Sequence, residues 1–392
     1  MPPSQHILIY AELLSNIRQV SVGCSLPTPA SESTQAYVAP DGRALTVIHG
    51  GLRQTIQLPG SVAFSSQLPV DRSRGTGLSW RLPLTTRPAG PAEDSVPWSA
   101  IDLRPGSPVF CKSCKATVVN AGTLRIWKDL PSENWAEMME FWHCHKPSNL
   151  QHSHDEEHLT TRGYGASSRI AAQPGVGFVD LTSFMLAYSD VLESSISTST
   201  STDKTASQPS KTLYCVTCKT QLGVYDDKSS SISLFKWQVL VNQQSQITAA
   251  KSPSLVQCVS AMLLATVARS GCSKSILLPI GARARPLPDA SISKNIDRLN
   301  IWVFNANITF SSTEASTSPT NAVKVFYRIV SQEAADQMLE SVVSDYEDIS
   351  LPAEAIATIT ELLNKSNSFV PESDRRFKDW MVGLLNKWDG GS

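Results

Sequence analysis

The sequence predicts a β-rich α+β protein, with an N-terminal sandwich or barrel of strands, a strand-built middle region joined through paired cysteines, and an α+β C-terminal domain. Three observations predict it. Short β-branched and aromatic runs separated by turn residues fill residues 6 to 105. Two Cys-x-x-Cys pairs, Cys111/Cys114 and Cys215/Cys218, stand in similar flanks. Beyond the second pair, apolar residues recur at helical spacing between further strand-like runs.

The N-terminal runs are HILIYAELL, RQVSVGCSL, QAYVAPDG, RALTVIHGG, RQTIQLPG and LSWRLPL. Turn signals such as Pro40-Asp41-Gly42 and Gly50-Gly51 punctuate them. An all-β domain over 1–105 is the expectation.

The paired cysteines lie in PVFCKSCKATV and TLYCVTCKTQLG, and each follows the order aromatic, Cys, x, x, Cys, Lys. Two thiolate pairs on hairpin-like knuckles are what one tetrahedral zinc requires, and four sulfur ligands would make the site structural and closed. A redox Cys-x-x-Cys usually comes singly in a βαβ setting, which neither flank offers. The plainer alternative is four reduced cysteines lying in strands without metal. The zinc-hook region is expected over 106–225. It includes a helix over 132–143, capped by Ser132, with Trp135, Met138, Met139 and Trp142 on one face and Pro147 marking its end. It also includes a Ser/Thr tract over 194–210, with no apolar period, which is expected to be a disordered insert.

Over 226–392 an α+β domain is expected. LFKWQVLV reads as a strand, and Ser252-Pro253 opens a helix that runs to Ser270 and stops at Gly271. IWVF and VKVFYRIV read as paired strands, with a short Ser/Thr loop from Ser311 to Thr320 between them. Three helices are then expected. The first carries Ala335, Met338, Leu339, Val342 and Tyr346 on one face, and the second Ile356, Ile359, Leu362 and Leu363. The last carries Phe377, Trp380, Met381, Leu384 and Trp388, and either closes the core or offers a partner-binding face.

At 392 residues, with 41% hydrophobic content and 9 Trp, the chain is long enough for two or three domains with substantial cores. Its formal net charge of −1 creates no overall field for nucleic acid or acidic lipid, so neither is expected as a direct partner. The opening MPPSQHILIYAELL has no basic n-region, and no apolar run approaches the ~18 residues of a membrane span. Cys24, Cys258 and Cys272 read as core or turn residues. Eight cysteines with four in metal-type pairs fit a reducing compartment, and a place in cytoplasm and nucleus is expected.

A further group is Phe141-Trp142-His143-Cys144-His145-Lys146-Pro147. Flanking imidazoles and Lys146 favour a thiolate at Cys144, which would then be a usable nucleophile with His143 or His145 assisting its deprotonation. The preceding helix C-terminus disfavours an anion there. Cys144 could equally be a spare metal ligand or a buried thiol. The nearby QHSHDEEH, holding His152, His154 and His158, reads as a solvated loop because it has no apolar walls.

SENWAEMMEFWHCHKP set between the FCKSCK and YCVTCKTQLG hooks, after YAELLSNIRQVSV, closely resembles the ubiquitin-conjugating enzyme-binding, or HECT-like ubiquitin ligase, family with its fungal polyadenylation-associated members. The resemblance runs from Tyr10 to Trp388. It implies a ubiquitin-protein ligase that binds a ubiquitin-loaded conjugating enzyme and passes ubiquitin to lysine. It also implies association with the endonuclease of the mRNA 3′-end cleavage and polyadenylation machinery. Cys144 matches the family's proposed thioester acceptor, and Cys111, Cys114, Cys215 and Cys218 its zinc-type cysteines. A HECT enzyme carries its acceptor in a C-terminal lobe, whereas the last cysteine here is Cys272. A non-catalytic adaptor or chaperone-like binder of that endonuclease is therefore the rival expectation.

Overall fold

Side-chain alternation builds the N-terminal strands. In Gln19–Ser25 every second residue, Val20, Val22 and Cys24, is buried, and in Gly77–Pro83 the buried set is Leu78, Trp80 and Leu82. Leu8–Leu14, which lies between Gln19–Ser25 and a strand from the other end of the chain, is buried on both faces. The structure, a computed structural model, describes residues 6–86, 96–130, 171–198, 210–241, 252–280, 298–341 and 345–390. The expected helix over 132–143 lies outside the described residues, as does QHSHDEEH.

Two compact units result, one of residues 1–95 with 255–390, the other of 96–254. These differ from the expected breaks after 105 and 225. In the first unit a nine-stranded sheet runs in the order Arg376–Phe377, Trp380–Asn386, Thr320–Val330, Arg298–Ser312, Leu8–Leu14, Gln19–Ser25, Gly77–Pro83, with Lys274–Pro279 and Tyr346–Leu351 branching from Arg298–Ser312. The long strand Arg298–Ser312 is the joint. Its first half pairs with Lys274–Pro279 and its end pairs with Leu8–Leu14 (Tyr10↔Ser312, Glu12↔Phe310).

The N-terminal strands do face a second layer, the three-stranded sheet Gln35–Val38, Ala44–His49, Leu52–Gln57. Ile9, Ala11, Val20 and Val22 share one core with Val38, Leu45, Val47 and Ile56. The expected sandwich is thus present in part, but its first layer continues into C-terminal strands, and no barrel closes among the described residues. Leu8 and Tyr10, on the opposite face, pack with Ile308, Phe310, Ala322 and Val370.

The C-terminal expectations hold in part. The paired strands are Arg298–Ser312 and Thr320–Val330, with Trp302 opposite Phe326. The helix expected from Ser252-Pro253 begins at Leu255 and ends at Ser270, with Gly271 at φ +70°. Ala353–Asn367 is helical, with Ile356, Ile359 and Leu363 buried. The helix through Ala335 spans only Gln332–Glu340, and Tyr346 instead opens the strand Tyr346–Leu351. The expected last helix is absent, since Phe377 ends the strand Arg376–Phe377 and Trp380, Met381 and Leu384 lie on the strand Trp380–Asn386. That strand is nearly all buried, between Thr320–Val330 and the helix Ala353–Asn367, so its continuous apolar run carries no period to distinguish strand from helix. Asn367 Nδ2 donates to the Val382 carbonyl at 2.7 Å, and a Cβ on Gly383 would meet Leu363 at 2.5 Å, so the helix sits directly on the strand.

The edges of two Ser/Thr stretches belong to regular elements. Ser311 and Ser312 are fully buried strand residues, so the loop is only 313–319. Of the expected insert, Glu193–Ser195 forms a 3-10 turn, Ile196–Thr198 is a strand and Ser210 opens another, while 199–209 lie outside the described residues. No described helix is long and apolar enough to cross a membrane.

Candidate functional site

The second unit holds the cysteine pairs. Its seven-stranded sheet runs Ile196–Thr198, Ser210–Cys215, Gln221–Asp226, Ser231–Phe235, Ser183–Ala187, Val176–Val179, Ile126–Asp129, and a three-stranded sheet runs Val239–Val241, Val109–Cys111, Thr117–Val119. Each hook is a hairpin whose first cysteine ends a strand, and the two are backbone twins. Cys111 N–H donates to Ala116 O and Lys115 N–H to Cys111 O, both 2.9 Å; Cys215 N–H donates to Thr220 O and Lys219 N–H to Cys215 O, again both 2.9 Å. Lys115 and Lys219 both take the left-handed conformation, at φ +63° and +60°.

One stretch of chain brings the hooks together. Gln221–Asp226, the return strand of the second hook, pairs with Ser231–Phe235. The chain then turns through a 3-10 segment, Lys236–Gln238, and Val239–Val241 pairs with the first hook (Val239↔Cys111). LFKWQVLV, expected as a single strand, is thus broken so that it can serve two sheets. The break is held by Lys236, fully buried, whose Nζ donates to the carbonyls of Pro97 (2.6 Å) and Trp98 (3.0 Å) and lies 5.6 Å from the Phe184 ring centre. Gly223 permits the pairing of Gln221–Asp226 with Ser231–Phe235, because a Cβ there would lie 1.9 Å from the Ser233 carbonyl oxygen.

The four sulfurs converge. Cys111 Sγ lies 3.6 Å from Cys218 Sγ and Cys114 Sγ 3.6 Å from Cys215 Sγ, and all four fall within 4.8 Å of one another. A tetrahedron of sulfurs about 2.3 Å from a central ion has edges of about 3.8 Å, so the cluster is of the size that one metal ion needs. Cys111 and Cys215 are buried, while Cys114 and Cys218 are partly exposed. Burial pushes the Cys111 thiol up to about 12, against the N–H groups of Cys114 and Ser113. Cys218 is held down to about 6, first by the Thr220 hydroxyl, 3.3 Å from its sulfur, and then by the Thr220 N–H. Thr220 was not singled out from the sequence. The signal it offered was its place two residues after Cys218, where only the hairpin geometry turns it toward sulfur.

Cys144, His143 and His145 lie outside the described residues. The remaining described cysteines are poor nucleophiles or are engaged. Cys24 is buried and pushed up to about 12, Cys258 is fully buried, and the Cys272 thiol donates to the Lys274 and Asp345 carbonyls.

Fold and site together define a strand-rich α+β protein with a four-cysteine centre able to hold a metal ion. Residues 12–382 match the family described as HECT-like ubiquitin-conjugating enzyme (E2)-binding, and the chain belongs to it. It is 26% identical to the uncharacterized protein C1734.10c of Schizosaccharomyces pombe over 357 residues, covering 86% of this chain and 93% of that protein. It is 19% identical to the uncharacterized protein YJR141W of Saccharomyces cerevisiae over 330 residues, 80% of this chain and 81% of that one. No solved structure matches the chain significantly.

Proposed function

We propose that this protein is a zinc-stapled ubiquitin-protein ligase that binds a ubiquitin-loaded conjugating enzyme and promotes ubiquitin transfer to lysine. The carrying observation is the family match over 12–382, whose description is binding of a ubiquitin-conjugating enzyme; that the enzyme arrives loaded with ubiquitin belongs to the proposal. Zinc is the ion proposed for Cys111, Cys114, Cys215 and Cys218, because four converging sulfurs without a carboxylate favour it. One zinc per chain with metal–sulfur distances of about 2.3 Å is expected by metal analysis and X-ray absorption.

In the catalytic step the Cys144 thiolate attacks the thioester carbonyl of ubiquitin, after His143 or His145 has taken its proton. The new carbon–sulfur bond forms as the bond to the conjugating enzyme's cysteine breaks, and that thiol leaves with a proton. A lysine amine then displaces Cys144. Cys144 is preferred because the other cysteines are buried, bonded to carbonyls or gathered in the hooks. A reductant-sensitive ubiquitin adduct that disappears in Cys144→Ala is the expected result; full transfer activity in that variant would overturn the catalytic role. Service to the 3′-end cleavage and polyadenylation endonuclease, in cytoplasm and nucleus, belongs to the same proposal, and co-purification with that endonuclease tests it. A second reading, a non-catalytic adaptor or chaperone-like binder, is favoured by one observation: every described cysteine is buried, bonded to a carbonyl or gathered in the hooks.

A further inference from the structure

Pairing of Trp302 with Phe326, of Phe326 with Val382 and of Phe377 with Trp380 stands their side chains side by side on one face of the nine-stranded sheet. Ring centres lie 4.7 Å apart for Phe304 and Phe326, 5.1 Å for Phe326 and Phe377, and 6.0 Å for Trp302 and Trp380. Phe326 and Trp380 are buried beneath, whereas Phe304 is 55% and Phe377 45% exposed. Rigid rings seated on a sheet and open to solvent are the usual anchors of a protein contact, since they bury much area at little entropic cost.

Cations ring this face. The Arg328 guanidinium lies 4.3 Å from the Trp380 ring centre, Lys274 Nζ 5.8 Å from that of Trp302 and Lys378 Nζ 5.7 Å from that of Phe377. Asp379 pairs with Arg328 and Asp345 with Lys274, so among the described residues the set has an excess positive charge at Lys378. The surface therefore suits a folded partner with an apolar protrusion flanked by carboxylates.

We propose that this aromatic, cation-rimmed face docks the ubiquitin-conjugating enzyme. The inference rests on the reading that this chain binds such an enzyme, which the family match over residues containing the whole face supports. It adds where the enzyme sits and through which chemistry, with apolar insertion between Phe304 and Phe377 and a carboxylate over Lys378.

The test uses the full chain against a panel of purified ubiquitin-conjugating enzymes, free and ubiquitin-charged, by calorimetry or surface resonance. Phe304→Ala with Phe377→Ala is expected to weaken the wild-type interaction at least about tenfold with an unchanged melting curve. Lys378→Glu is expected to weaken it and to flatten its salt dependence. Wild-type binding that survives both changes undiminished overturns the docking site while leaving the binding function intact. No wild-type binding to any enzyme overturns both. Loss of self-association in the double variant, with enzyme binding kept, overturns the proposal in favour of a second copy as occupant.

Discussion

Glu12 is 5% exposed on a central strand, so its charge needs partners. It has two: Lys324 Nζ donates to Oε2 at 2.7 Å and Tyr10 Oη donates to the same oxygen at 2.8 Å. Burial, followed by the Glu12 charge, raises the Tyr10 phenol well above its ordinary value, which keeps it a donor. Lys324→Met is expected to destabilise the protein by about 3–5 kcal/mol, because it strands a buried carboxylate. Adding Glu12→Gln should recover part of that loss, as read by denaturant unfolding of both variants. At the metal centre the residue-scale chemistry is proton competition. Cys218, held down to about 6, favours the thiolate at pH 7, whereas Cys111, pushed up to about 12, favours the thiol until a metal displaces its proton. Loading at pH 7 is therefore expected to release protons, and metal affinity to fall as the pH drops from 8 to 6 because Cys111 must lose its proton, and more steeply below about 6 where Cys218 is protonated as well. Calorimetry in buffers of different ionisation enthalpy, with chelator competition at pH 6 and 8, measures both.

At the scale of elements, what was legible depended on whether a local period existed. Gln19–Ser25 alternates in burial along its whole length, and Ala353–Asn367 places its apolar residues three and four apart, so both could be read in advance. The hooks were legible because ligand spacing in a four-sulfur site is set by covalent chemistry within a few residues. Trp380–Asn386 was not, since an element buried on both sides loses its period. Nor was the broken strand at Lys236, where a charged residue inside an apolar run marks a change of sheet. The two carbonyl bonds of Lys236 position the path on which both hooks hang. Lys236→Met is expected to lower the melting temperature and weaken metal retention. Cys215→Ser is expected to lower the melting temperature by removing one ligand outright. Equal metal content and an unchanged melt in either variant would contradict the staple.

At the scale of the molecule, sequence neighbours are not the only folding partners. Leu8–Leu14 has Gln19–Ser25 on one side, but its other edge is completed only by Arg298–Ser312, and Leu8 and Tyr10 are covered by residues from beyond position 300. Such pairing is invisible in any window of sequence, because its register is set by contacts about 300 positions apart. Residues 96–254, in contrast, contain both sheets that carry the hooks and all four sulfurs. Expressed alone, 1–95 is expected to aggregate or to lack a cooperative melt, since it would expose an unpaired strand edge and an apolar face. Residues 96–254 alone are expected to fold with one metal ion and to unfold on its chelation. A cooperative transition in the first fragment, or metal-independent stability in the second, would show that the units are not divided in this way.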